Sequence, residues 1–573
     1  MNDHSPGGAL ARLAEAHWQA ICRQSPMTAL LAGEEPADDT LFRESETAYD
    51  GLAADARELH AAAGQIDADR LAPDDRLTHA LLLRETEEIV EAHALGAHLR
   101  PSLFPAGPDF NLVFLANSTS LATPADAERY LARLETVPAL FEDLLACLAA
   151  GNARGFRYPA PVVARAADAA AANLAERAED TPFFNPFHRS PMEGASMARL
   201  AERGKRLIEG SLLPALGHYV TRLRDEQGRL ARDSIGCCDD VEGEAFYAHL
   251  ARRFTTSDLG PGEIHVIGLE EVARLEAEIA AVADTAGFKD DVAGYRAFLA
   301  SDPAQRASSP GAQLERMRAL CKTIDGMLPG WFGRLPRISY GVELIPERLA
   351  DGLPPAYAQP GPADRTAAGI FWLSSRLDKC PLYLFPSLAL HEAWPGHLMH
   401  IALVQEQAVL PAFRRHGAVK YTACIEGWAM YCEQLGVEMG LYETPHEHFG
   451  RLNMEQWRAA RLVVDTGLHS RGWRREDAVA YLAEHVALTP EMIDAEVDRY
   501  MALPGQALGY QLGNLAFRRV RQRAEAALGE DLDLRSFHDA VLAAGPLTLP
   551  LLESVGDRWV TAQRAGASAR PAT

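Results

Sequence analysis

No window of eighteen consecutive apolar residues occurs anywhere in the 573-residue chain, so it contains no candidate for a membrane-spanning helix. The opening stretch MNDHSPGGALARLAEAHWQAI also lacks a basic segment followed by an apolar one, the mark of a secretion signal. The expectation is a cytoplasmic chain with no membrane partner. Positive charge is scarce as well. Lys and Arg number 56 against 79 Asp and Glu, a formal net charge of −23, whereas a surface that tracks phosphates needs the opposite sign. Nucleic acid is therefore not an expected partner, and acidity spread over many segments reads as a solvated exterior. The eight cysteines include no CxxC pair, and Cys237 and Cys238 are adjacent, which suits neither a zinc knuckle nor a disulfide framework. Buried free thiols are the plain reading. GxSxG, GxGxxG and GxxxxGK[ST] are all absent, which removes the usual serine hydrolase and nucleotide-cofactor signatures.

Helical periodicity fills most of what is present. ALARLAEAHWQAICRQ, DDRLTHALLLRETEEIVEAHAL and ADAERYLARLETVPALFEDLLACLAA space apolar residues three and four apart, with charges between them. Residues 191–225, 266–283 and 516–528 read the same way, and Ala-rich runs such as ARAADAAAANLAERAE add helix propensity. Two stretches, ISYGVELI (338–345) and GIFWLSS (369–375), are β-branched and aromatic and are bounded by Pro- and Gly-rich loops. The fold expected is mostly α, with a small sheet just ahead of the best motif in the chain. GIFWLSS is also a candidate edge strand for an extended peptide. A boundary near residue 226 would divide a helical region, 1–225, from a catalytic one, 226–573; a single body is the alternative.

That motif is SLALHEAWPGHLMH (387–400). In the familiar zinc helix two histidines sit at i and i+4 on one face, with glutamate directly after the first. Here the second histidine comes at i+6, and on an unbroken helix six residues turn by about 600°, which would leave His397 roughly 120° away from His391. Pro395 and Gly396 lie between them, so a broken turn can bring His397 back. Downstream, Glu426 in YTACIEGWAMYCEQLG can be delivered by a second helix. Two histidines and one glutamate leave a coordination position open for water, the arrangement of a catalytic zinc, with manganese, cobalt or iron as alternatives. Glu392 would then be the general base. The competing reading is a helix terminus whose imidazoles cap backbone carbonyls.

HEAWPGH followed by EGWAMY (426–431) resembles the domain-of-unknown-function family 885, generally described as metallohydrolases. RLVVDTGLHSRGW (461–473) and RYMALPGQALGYQLG (499–513) resemble two further segments of that family, and the four motifs lie in order between 391 and 513. The resemblance implies a mostly helical body with a deep central groove, distantly similar to thimet oligopeptidase and carboxypeptidase Taq. It implies His391, His397 and Glu426 as ligands and Glu392 as the base. One departure is visible: the family commonly has a histidine where Leu398 stands, and His400 is the nearest substitute.

Peptide hydrolysis also needs a donor for the developing oxyanion. Tyr510 is the first candidate and Tyr500 the second, each also readable as a helix tyrosine with a satisfied hydroxyl. Arg461, Asp465 and His469 recur every four residues, so they share one helical face. Arg461 is placed to grip a substrate carboxylate, His469 to donate to the scissile carbonyl and Asp465 to orient them. A structural Arg–Asp–His network is the alternative. Gln506, after the Pro504–Gly505 break, is a further substrate-binding candidate. The leading expectation is zinc-dependent hydrolysis of short peptides. Hydrolysis of a small non-peptide amide, or a helical scaffold with structural histidines, are the alternatives.

Overall fold

Helix starts in this chain are written by proline after a capping hydroxyl. Ser5 accepts the Gly8 N–H ahead of Pro6, Ser309 accepts that of Ala312 ahead of Pro310, and Thr123 forms a reciprocal capping box with Asp126 ahead of Pro124. The structure, a computed structural model, describes residues 5–34, 40–350, 353–363, 367–417 and 420–568. It is mostly α-helical with one three-stranded sheet among the described residues. The ADAERY segment forms two helices, Pro124–Glu135 and Val137–Arg154, because Thr136 closes the first and Pro138 opens the second. All eight cysteines are unpaired thiols; seven are buried and Cys238 is half-buried. No helix among the described residues is long and apolar enough to cross a membrane.

Two compact units divide the chain. The first comprises residues 1–249, 468–475 and 495–504; the second comprises 250–467, 476–494 and 505–573. The first is a helical body around a core that includes Leu131, Phe141, Phe183, Leu212 and Tyr219.

The second unit holds the sheet, made of β1 (Tyr340–Leu344), β2 (Ala356–Gln359) and β3 (Gly369–Leu373), in the order β1-β3-β2. β3 pairs in parallel with β1, Tyr340 opposite Gly369, and antiparallel with β2, Ala356 opposite Leu373. Gly369, Phe371 and Leu373 are buried on alternate positions. β3 is thus the central strand, and the expectation that GIFWLSS offers an edge to a peptide is corrected: both of its edges are already hydrogen-bonded within the sheet.

Five helices of this unit follow: α1 (Phe385–Glu392), α2 (His397–Gln405), α3 (Thr422–Glu438), α4 (Pro445–Ser470, whose last residues belong to the first unit) and α5 (Gly509–Leu528). α3 and α5 approach so closely that a Cβ on Gly513 would lie 1.9 Å from the Ala423 carbonyl oxygen, and one on Gly427 would lie 2.4 Å from the Gly513 carbonyl carbon. Small residues at this seam let two backbones touch, and Gly509 extends it against Thr422 and Ala423. Backbone has nowhere to retreat at such distances. Gly513→Ala is accordingly expected to destabilise the protein by about 2 kcal/mol or more, measured by denaturant unfolding, whereas Gly326→Ala, with open space around its Cβ, should not.

Candidate metal centre

α1 ends at Glu392 because the chain turns sharply at Ala393–Gly396, through a cis Trp394–Pro395 bond, before α2 begins at His397. Gly396 is required at this turn, since a Cβ there would lie 2.0 Å from the His391 carbonyl oxygen. Trp428, fully buried on α3, donates its indole N–H to the Pro395 carbonyl at 2.9 Å and so holds the turn from outside. The result is a pair of imidazoles, His391 and His397, set edge to face with ring centroids 4.7 Å apart.

Glu426 on α3 meets both. Its Oε2 lies 3.3 Å from His391 Nε2 and 3.4 Å from His397 Nε2. Ligand atoms of the three residues lie within 4.8 Å of one another. A tetrahedral centre about 2.0–2.1 Å from nitrogen and oxygen ligands has edges of about 3.3–3.4 Å. Both nitrogen–oxygen separations match that edge and exceed the roughly 2.9 Å of an ordinary hydrogen bond. The donor set fits a divalent transition ion.

Behind His391 stands Glu433, whose Oε1 accepts from Nδ1 at 2.8 Å. This fixes the tautomer in which the neutral ring presents the Nε2 lone pair to the centre. Without an ion, burial would lower the His391 pKa, but Glu426, Glu433 and Glu392 overcome it and raise it to about 9. Glu426 is half-buried, and loss of solvent alone would raise its pKa, yet the facing imidazoles of His397 and His391 hold it well below the ordinary carboxylate range. Glu433 escaped the sequence reading. The usable signal was its position at i+7 from Glu426, two turns along the same face of α3.

Glu392 follows His391 at the end of α1; it is 8% exposed and accepts no hydrogen bond from another described residue. Leu398 faces elsewhere, packing on β3, where a Cβ on Gly369 would lie 2.8 Å from its Cδ2. His400 lies against Trp428, ring centroids 6.0 Å apart, and stands outside the three-residue cluster. Burial, aided by His397, lowers its pKa to about 3.

The other candidates separate into two groups. In the second unit, the Arg461 guanidinium lies between two rings, 4.5 Å from the Trp457 centroid and 4.4 Å from that of Tyr510. Gln506 Nε2 donates to the Tyr510 hydroxyl at 3.4 Å, and Asp465 accepts the Gly505 N–H at 3.1 Å, anchoring the Pro504–Gly505 break. In the first unit, Tyr500 donates its hydroxyl to Glu496 at 2.5 Å. His469 is likewise committed: Nδ1 accepts the Cys237 N–H at 3.1 Å, and Nε2 donates to the Tyr500 carbonyl at 2.9 Å. A ring with both nitrogens on backbone groups has none to offer a scissile carbonyl, and Asp465 does not orient it. His469 is a structural staple.

A mostly helical protein with a two-histidine, one-glutamate centre is the class that fold and geometry define. The chain belongs to the family described as "Bacterial protein of unknown function (DUF885)", whose model matches residues 26–555. Among solved structures it is similar to a protein of Colwellia psychrerythraea named a "putative lipoprotein". The two share 26% identity with a TM-score of 0.89, over 97% of this chain and 100% of that one. A "putative lipoprotein of unknown function" of Shewanella oneidensis shares the fold at 16% identity and a TM-score of 0.75, over 95% of this chain and 99% of that one. No curated protein matches the chain. The expected cytoplasmic location is corrected by these neighbours, since both are named as lipoproteins, a class held to membranes by a lipid anchor.

Burial lowers the His469 pKa to about 4, against the opposing pull of the Tyr500 carbonyl. The unfolded chain therefore takes up this proton first as pH falls, so the stability His469 contributes is present above about pH 6.5 and is lost between there and pH 4. Denaturant midpoints of the wild type should fall across that window more steeply than those of His469→Gln. Parallel curves would show that His469 does not carry the loss.

Proposed function

We propose that this protein is a metal-dependent hydrolase that cleaves amide bonds of short peptides, with zinc held by His391, His397 and Glu426. The observation that carries this reading is the convergence of two Nε2 atoms on one Glu426 oxygen at the edge length of a tetrahedral site, with Glu433 fixing one ring from behind. When bound, the ion supplies a Lewis acid that polarises a carbonyl and acidifies water.

The chain's own residues do the rest. Glu392 takes a proton from the attacking water and delivers it to the leaving nitrogen. Its place directly after a ligand, without a hydrogen-bonded partner among the described residues, suits a carboxylate that must gain and lose a proton. Tyr510, half-buried with Gln506 donating to its oxygen, directs its O–H toward the carbonyl oxygen as charge develops there. α3 and α5 run parallel, because Gly509 faces Thr422 and Ala423 while Gly513 faces Ala423 and Gly427. In right-handed helices packed this way, the residue before Gly427 and the residue after Gly509 fall on the same side of the seam. Glu426 and Tyr510 are those residues.

Elemental analysis of the purified protein should find about one transition ion per chain, and His397→Ala and Glu426→Ala should lose it while keeping their circular dichroism. A wild type that carries no such ion and takes none up on dialysis would sink the reading. Glu392→Gln should retain the ion and lose at least about a hundredfold in the rate of peptide hydrolysis. Glu433→Gln should weaken ion affinity by about 10–100-fold, measured by competition with a chelator.

A further inference from the structure

α4 carries three arginines, Arg451, Arg458 and Arg461, and two of them stand among counter-charges or aromatic faces. Glu455 is the hub: it accepts from Arg274 at 2.7 Å, Arg518 at 3.0 Å and Arg451 at 3.0 Å, and Glu271 also pairs with Arg274 at 2.7 Å. Arg461 lies between Trp457 and Tyr510. Arg458 differs. It is 5% exposed, yet it forms no ion pair among the described residues. Its Nη1 reaches only the Met454 carbonyl and sulfur, at 3.2 and 3.3 Å, and its Nε has no hydrogen-bond partner. The guanidinium rests 4.9 Å from the Trp457 ring centroid, so one indole is flanked by two cations. A buried guanidinium without a carboxylate is costly, and the cost is removed when an anion binds.

Register places this cation at the level of the candidate metal centre along α5. Along α4 the chain runs from Glu455, which meets Arg518 of α5, to Arg461, which meets Tyr510 of α5. α4 and α5 are therefore antiparallel, and Arg458, midway between those contacts, falls level with Asn514. Asn514 follows Gly513, the seam residue that faces Gly427, and it shares the Glu426 side of the seam by the same helical geometry as Tyr510. Asn514 is itself buried, and its Oδ1 has no hydrogen-bond partner. At this level the two helices thus offer an uncompensated cation, from α4, and an unsatisfied amide, from α5.

We propose that Arg458, with Arg461 beside it, is a carboxylate-binding subsite that restricts the hydrolase to substrates bearing a free carboxylate close to the scissile amide, such as peptide C-termini or N-acyl amino acids. Arg458 is a specificity-determining residue. Its planar fork can take both oxygens of a carboxylate, with the Trp457 indole fixing its plane. The proposal rests on the amide-hydrolase reading for its substrate class, but carboxylate binding can be read without turnover.

The experiment uses Glu392→Gln protein, so that turnover does not consume the ligand, and isothermal titration with three probes. These are N-acetyl-Ala-Ala as the free acid, the same dipeptide as its C-terminal amide, and N-acetyl-Ala-Glu-amide, which carries only a side-chain carboxylate. The free acid is expected to bind about ten- to a hundredfold more tightly than the amide, and adding Arg458→Gln should abolish that ratio. Adding Arg458→Lys, which keeps the charge but not the fork, should retain only part of it. If the side-chain acid binds as tightly as the free acid, and through Arg458, the subsite stands and its source is an acidic side chain. Equal binding of acid and amide, no binding of either, or an acid preference that survives in Arg458→Gln overturns the proposal. Should Arg458→Gln fail to fold, the acid-to-amide ratio in the parent and the Lys variant still decide. A retained ratio with no peptide hydrolysed by the wild type would defeat the hydrolase reading and leave the subsite in place.

Discussion

Everything at the candidate site depends on two helices touching backbone to backbone. Where Gly513 meets the Ala423 carbonyl and Gly427 meets Gly513, no side chain stands between α3 and α5. That contact sets how far Glu426 and Tyr510 project beyond the seam, because each is one residue away from a glycine that lies in it. A larger residue at any of these glycines would push the helices apart and move both side chains together. The tight packing is therefore a positioning device as much as a source of stability.

The paired histidines depend on a second constraint, the turn at Ala393–Gly396. An unbroken helix would carry His397 away from His391; the turn returns it, and Trp428 holds the turn through the Pro395 carbonyl. Trp428 sits two residues from Glu426 on the same helix. The element that supplies the carboxylate thus also locks the geometry of the imidazoles. Glu433, one heptad further along, adds the hydrogen bond that orients His391. One helix, α3, organises most of the centre.

Much of this was legible in the sequence, and the physical reasons explain where legibility stopped. Helical periodicity and Ala-rich runs announced the mostly α body, and β-branched runs announced β1 and β3. β2 stayed hidden because AYAQ is four residues long and sits among prolines and glycines that read as loop. The order β1-β3-β2, which makes GIFWLSS a central strand, depends on pairing between distant segments that a local pattern does not encode. His391, His397 and Glu426 could be named because ligand chemistry is restricted to few residue types, and the structure brings them together. His469 shares a helix with Arg461, but side-chain function follows from partners, and its partners are backbone groups of Cys237 and Tyr500. Arg458 carried no signal at all, since an arginine in a helix reads as surface until its burial and lack of a carboxylate are known.

The turn between His391 and His397 also bears on how such proteins are found. Searches keyed to HExxH assume that ligand spacing and helix periodicity are the same quantity. Here they are decoupled: a backbone break sets the distance between imidazoles, so two extra residues intervene without displacing the second ring from the centre. Genome surveys that rely on the shorter pattern would pass over this chain. A query joining a histidine–glutamate pair, a Pro-Gly break, a second histidine and a later helix with glutamates seven apart would retrieve it, and would select for the geometry rather than for a spelling of it.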